Sequence, residues 1–245
     1  QFILQRERLV AEIDDQHKQL LSQLSKYQDD ERAFRVAHDQ YQSLQTLNSI
    51  EGVIESAKQL TLSRNTALNS YLNLLRLKLI ESQGVELFHK ERVVEQLLTL
   101  QDELHEHSSK IQTVQEREQV NELNKDFQPL SQSIKETSYY ALSILTIGRL
   151  QSVYDQSVVI NSKMLENESK EVLAQSNLRS RSLTEVQKLL ESTPPLFQEM
   201  WTEVNQTEGR TSGYEALYRG LSRKLNTIYA RLSRLVAYFE ELENI

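Results

Sequence analysis

The sequence predicts an all-α protein: an elongated, antiparallel, coiled-coil-like bundle of about five to six helices, several of them long. Three observations predict it. Six Gly and three Pro in 245 residues fall far below the usual shares of about 7% and 5%, so turns are few. Apolar residues recur at helical spacing, with heptad seams in the first and last segments. The hydrophobic content of 38%, against about 45–50% in an ordinary domain, covers narrow seams and not a thick core. No Gly-, Ser- or Pro-rich linker divides 1–245, which reads as a single elongated helical unit with at most a weak sub-boundary at 174–182.

Ile13, Leu20, Tyr27, Phe34 and Tyr41 repeat every seven residues, the signature of one helix of about 45 residues. Val10 and Leu24 supply the second seam series, which also takes in His17, Glu31, His38 and Gln45. Asn48 with Glu51 offers a cap for a second helix running to Gly84, a C′ glycine suited to positive φ. The third helix carries the seam Val93, Leu97, Leu100, Leu104, His107, Ile111, Val114 and breaks over the polar run 115–119. Pro129 lacks a backbone N–H and biases Gln128 away from helix, which predicts a boundary or kink there.

A fourth helix over about 130–175 is densely apolar from Tyr139 to Leu150, then keeps only a stripe with Val158, Leu165 and Val172. Residues 174–182 read as a loop, and Ser182 with Glu185 as a capping box. Pro194 suits the first turn of the next helix, where Phe197, Met200, Trp201 and Val204 share one face. Gly209 and Gly213 bracket a turn, with Ser212 and Glu215 as a further capping box. The last helix has two clear series: Tyr218, Leu225, Leu232, Phe239 and Tyr214, Leu221, Ile228, Leu235, Leu242.

The stretch YLNLLRLKLI, 71–80, spreads apolar side chains over more of the helix than one neighbour covers. Leu72, Leu75 and Leu79 form one face, and Leu74, Leu77 and Ile80 lie on the other side. The second set is therefore either core or a partner-facing patch. Phe197 and Trp201 are the other partner-facing candidates.

Little in the chain points to catalysis. There is no Gly-rich phosphate loop, nucleophile elbow or Ser/His/Asp arrangement in a strand-to-helix context, so the chain is read as no enzyme and no cofactor is expected. With no Cys, disulfides, Cys-ligated zinc and thiol chemistry are excluded. His105 and His107 point some 200° apart on a helix, and Glu103 with His107 supplies two ligands without a third, so no metal is expected. His17 and His38 read as solvated seam-edge histidines, and Asp14, Asp15, Asp29, Asp30 and Glu31 as a solvated face.

The net charge of -7 argues against a nucleic-acid binder, whose surface is normally basic. The one basic stripe is Arg219, Arg223, Lys224, Arg231 and Arg234, within roughly 140° on the last helix. It would track anionic membrane or nucleic acid if left unpaired, a remote alternative. No stretch reaches the roughly 20 apolar residues that span a bilayer, so membrane contact is expected only through segments outside this chain. The chain opens on Gln1, from which the expectation is export, with a cytoplasmic location as the alternative. The function that fits is a non-enzymatic structural or interaction protein, a scaffold or spacer presenting helical surfaces to a protein partner or to itself. The alternative is an extracytoplasmic sensory or ligand-binding bundle flanked by membrane helices outside the chain.

Overall fold

The computed structural model describes residues 2–167, 177–207, Arg210 and 212–244. Among these the regular structure is all helix: α1 Phe2–Leu44, α2 Leu47–Glu81, α3 Leu87–Gln112, α4 Arg117–Asn167, α5 Asn177–Ser192, α6 Pro194–Thr207 and α7 Tyr214–Asn244. The all-α helical bundle expected from the sequence is therefore observed. Val172, Gly209 and the start of the 174–182 segment lie outside the described residues. The chain divides into two compact units, Gln1–Glu81 with Lys90–Ser138, and Ser82–His89 with Tyr139–Ile245. Each is taken by itself.

In the first unit α1 and α2 form an antiparallel hairpin. Gln16 donates to the Ser70 carbonyl at 3.3 Å and accepts from Asn73 at 2.7 Å. The turn is closed by Gln45 at φ 48°, a left-handed C-terminal residue that is not glycine. Thr46 and Ser49 then cap α2 reciprocally, the Ser49 N–H donating to Thr46 Oγ1 and the Thr46 N–H to Ser49 Oγ. The cap thus starts two residues before the expected Asn48.

The inward stripe of α1 is Ile13, Gln16, Leu20, Gln23, Tyr27, Asp30, Phe34, Ala37 and Tyr41. The expected apolar series is right, but its companion falls one residue earlier than Val10, His17, Leu24 and His38, all of which are exposed. The reason is chemical: Gln16 bonds across the seam, so a polar stripe faces α2 where an apolar one was expected.

On its other side α2 runs antiparallel to α3, through Asn65 with His107 and Asn69 with Gln101. Covered by both neighbours, Leu74 and Leu77 are 5% and 3% exposed. They are core and not partner-facing, whereas Ile80 is exposed. The α3 seam is buried at every expected position from Val93 to Val114. The chain then turns at 113–116, and Gln119 accepts from the Gln115 and Glu116 N–H groups to cap α4. Pro129 lies inside α4 instead of ending it. The lost backbone bond, about 3 kcal/mol, is offset by burial of Phe127, Leu130 and Ile134 around it.

The second unit is a three-legged bundle. α4 from Tyr139 onward runs antiparallel to a leg made of α5 and α6, with Tyr154 donating to the Leu190 carbonyl at 3.0 Å. That leg runs antiparallel to α7, through Lys224 with Glu203 and Arg231 with the Ser192 carbonyl. α5 begins at Asn177, so Ser182 sits buried inside it and is no cap. α6 opens on Pro194 as expected. Gly213, at φ 105°, introduces α7, whose apolar series bury Tyr214, Leu221, Ile228, Leu232, Leu235 and Leu242.

Residues 82–86 close the unit against α4 through two glycines. A Cβ on Gly84 would stand 1.8 Å from the Gly148 carbonyl oxygen, and one on Gly148 would stand 2.4 Å from Val85. Gly84 is needed for this approach and not for positive φ, which it does not adopt. Gly148→Ala is expected to lower stability by about 1–3 kcal/mol, the cost of overpacking, seen as a lower urea midpoint. Gly220→Ala, with nothing within 4 Å of the new methyl, should hold or raise the midpoint by up to about 1 kcal/mol. In the first unit, Leu77→Glu is expected to cost upward of about 4 kcal/mol and to abolish the cooperative transition by circular dichroism.

Candidate helix-docking site

The second half of α4 carries more apolar surface than its unit covers. Val158, Val159 and Ile160 are consecutive, so their side chains spread over about 200° and no single neighbour reaches all three. α5 and α6 cover one side, where Tyr154 lies against Phe197 at 5.8 Å. α7 covers part of another. Val153, Val158, Val159, Ile160 and Leu165 stay exposed, from 37% at Val158 to 52% at Val159.

The exposed surface has a regular relief. Ser152, Gln156, Ile160 and Met164, four residues apart, form one i±4 ridge of the kind that packs between helices. On its α7 side lies a groove of about 660 Å³ bounded by Val153, Val236, Phe239 and Leu242. On its other side a groove of about 460 Å³ runs against Gln83 and Gly84. Gln156 and Ile160 line both. A third groove, of about 620 Å³, separates Val158 and Leu165 from Leu183 and Leu190 of α5. Contiguous exposed apolar surface of this kind marks interaction sites.

The expected basic stripe is only partly available. Lys224 binds Glu203 at 2.6 Å and Glu199 at 2.9 Å on α6, and these hydrogen bonds hold its ammonium above its ordinary pKa. Arg219 pairs with Glu215, and Arg231 donates to the Ser192 carbonyl. Arg223 and Arg234 make no ion pair among the described residues, and they line an open surface with Gly220, Thr227 and Ala230.

Of the other expected partner-facing residues, Phe197 is buried at 3% and Trp201 is half-buried, because both pack inside the second unit. Trp201 stacks on His89 at 5.3 Å and 12°. His89, only 1% exposed, shares a hydrogen bond with Tyr140 at 2.9 Å, and Tyr140 stacks on Tyr214 at 4.7 Å. Composition alone did not single out His89. Its neighbours gave no signal either, since Lys90, Glu91 and Arg92 follow it directly.

His107 is not a wet seam histidine. Its Nε2 lies 3.0 Å from the Leu123 carbonyl, which can only accept, and its Nδ1 lies 2.9 Å from Asn65 Nδ2. The neutral Nε2–H tautomer therefore satisfies both partners. Next to it Arg64 lies 3.5 Å over the ring of Phe127, itself 5.3 Å from the His107 ring. Arg64 Nε and Nη2 are buried without hydrogen-bond partners. Among the described residues no group of three or more His, Asp or Glu is placed to hold a metal ion. No described helix is long and apolar enough to cross a membrane.

No family model matches the chain, and neither a curated protein nor a solved structure matches it.

Burial pushes Arg64 down to about 10, outweighing the opposing pull of Tyr27. Because this folded pKa lies below the unfolded one, the buried cation opposes folding fully below about pH 10 and less as the pH rises through it. Arg64→Met is expected to stabilise the chain by about 1 kcal/mol at pH 7. In urea unfolding, that gain should shrink as the pH passes about 10.

Proposed function

We propose that the chain is a non-enzymatic interaction module whose second unit docks a helix along the C-terminal half of α4. The observation that carries this reading is the exposed ridge at Ile160 with an apolar groove on the α7 side. In a bundle of three legs this is the seat a fourth helix would take, with ridge packed into groove. The side chains at the ridge are uncharged, which suits a protein partner. A location outside the cytoplasm suits a chain without cysteine and is proposed with it.

A second reading has its own support. The groove of about 660 Å³ between α4 and α7 falls in the size range of small-molecule sites, about 300–1,000 Å³. Arg179 and Glu240 at its rim would orient a polar end. In that reading the unit is a ligand-binding sensory bundle. The basic face of α7 gives a weaker third reading, an anionic surface, since Lys224 and Arg219 already have carboxylate partners.

The docking reading is tested with an apolar-surface dye, anilinonaphthalene sulfonate, in dilute solution. The wild-type chain is expected to enhance its fluorescence several-fold over a chain carrying Val159→Glu and Ile160→Glu. Both positions are about half exposed, so the urea midpoint should move by less than about 0.5 kcal/mol. Equal fluorescence from the two chains would remove the reading.

A further inference from the structure

α7 turns a second surface outward, and there the charge is of one sign. Between residues 216 and 239 the helix carries five cations and no acid, within a chain of net charge -7. Arg219, Arg223 and Arg234 fall within about 60° of one another on the exposed side, with Arg231 at its edge. Their long side chains stand around a floor of Gly220, Thr227 and Ala230, which leaves an open depression of about 1020 Å³. We infer that this strip binds a single acidic helix of a protein partner, whose carboxylates meet guanidinium groups at both ends of the depression. The surface lies on α7 alone and shares no residue with the α4 ridge or its grooves.

The arginines can take new partners. Arg223 and Arg234 make no ion pair among the described residues. Arg219 pairs with Glu215 one turn away, but its side chain is 74% exposed, so water and salt already compete for that pair. Arg231 gives one N–H to the Ser192 carbonyl and keeps others. Lys224, held by Glu199 and Glu203, is spent. Arg219 with Arg223 and Arg231 with Arg234 make two cationic pairs, with centres about 17 Å apart along the axis. Acids one turn apart on a second helix, repeated about three turns on, match that spacing.

Carboxylates border the strip and set its width. Glu215 stands at one end, Glu240 and Glu241 lie beyond the other, and Glu199 and Glu203 line the α6 side. A bilayer or a nucleic-acid duplex, wider than one helix, would bring its phosphates against these acids, whereas a helix about 10 Å across clears them. Tyr229 is 65% exposed but lies about 120° round from Arg223, so it does not stand among the arginines to stack a base.

The probe is a labelled, alanine-rich helical peptide of about 20 residues with two Glu pairs about three turns apart, followed by fluorescence anisotropy. A twin peptide carries Gln at the same positions. Both are titrated with the wild-type chain, with a chain carrying Arg223→Gln and Arg234→Gln, and with one carrying Lys18→Gln and Arg32→Gln, which removes the same charge from exposed positions on α1. The acidic peptide is expected to bind the wild type saturably and to weaken in salt above about 0.1 M. It should lose at least about tenfold in affinity for the α7 variant and keep its affinity for the α1 variant. The Gln twin should not bind. A DNA duplex, and vesicles of phosphatidylserine and phosphatidylcholine in equal parts, are titrated alongside. An acidic peptide that fails to bind, or that binds the α7 variant as well as the wild type, overturns the proposal. Duplex or vesicles that bind more tightly than the peptide, and lose that binding in the α7 variant, overturn the acidic helix in favour of a phosphate surface.

Discussion

Between Gly84 and Gly148 two stretches of backbone meet with no side chain between them, and the second unit is arranged outward from that contact. With a Cβ on Gly84 falling 1.8 Å from a carbonyl oxygen, the turn can lie directly on α4 only because both positions are glycine. Held there, the start of α3 points His89 into the unit. One face of the ring meets Trp201 of α6, and its Nδ1 meets Tyr140 of α4. Tyr140 in turn stacks on Tyr214 at the start of α7. A close approach of two peptides thus brings four elements to one aromatic centre. The hydrogen bond within it contributes only about 1 kcal/mol net, but a buried imidazole left without its partner would cost more than that.

The first unit answers a different constraint. Its sequence is too polar for wide apolar faces, so α1 meets α2 through Gln16, Gln23 and Asp30 alternating with Ile13, Leu20, Tyr27 and Phe34. Gln16 bonded to Ser70 and Asn73 fixes the register of the pair, a role that single polar seam residues fill in coiled helices. Asn65, His107 and the Leu123 carbonyl do the same for α2, α3 and α4. Ala57, Val114 and Val120, with Phe34, Ile54 and Leu123 against them, close one end of the unit with a small apolar cluster. The polar seams specify alignment, and apolar clusters of this kind supply the burial.

What was legible in the sequence follows from this division. The seams of α3 and α7 could be read residue by residue, because apolar periodicity alone determined them. The companion stripe of α1 could not, because a glutamine that bonds across a seam looks in sequence like one facing water. The boundary offered at Pro129 did not form for a related reason: its local preference against helix is fixed, whereas the burial that overrides it depends on α4 reaching its neighbours. The cap at Thr46 uses a residue that propensity ranks below Asn48, two positions on. The docking ridge was half legible. The lighter burial beyond Leu150 could be read, but Val158-Val159-Ile160 permitted the same reasoning as 71–80 and points to the same choice between core and partner surface. The two stretches came out oppositely because α1 and α3 bury both sides of 71–80, whereas α7 covers only part of the second side of α4.

The stacking of Trp201 on His89 has an optical meaning. The chain holds a single tryptophan, and it belongs to the second unit, in face-to-face contact with the His89 imidazole. Emission excited at the red edge of protein absorbance therefore comes from one place, the junction of α6 with the start of α3. The ten tyrosines are spread over both units and report neither one alone. Nature has in effect labelled one half of the molecule, so that the melting of the second unit can be watched by itself in the unmodified chain.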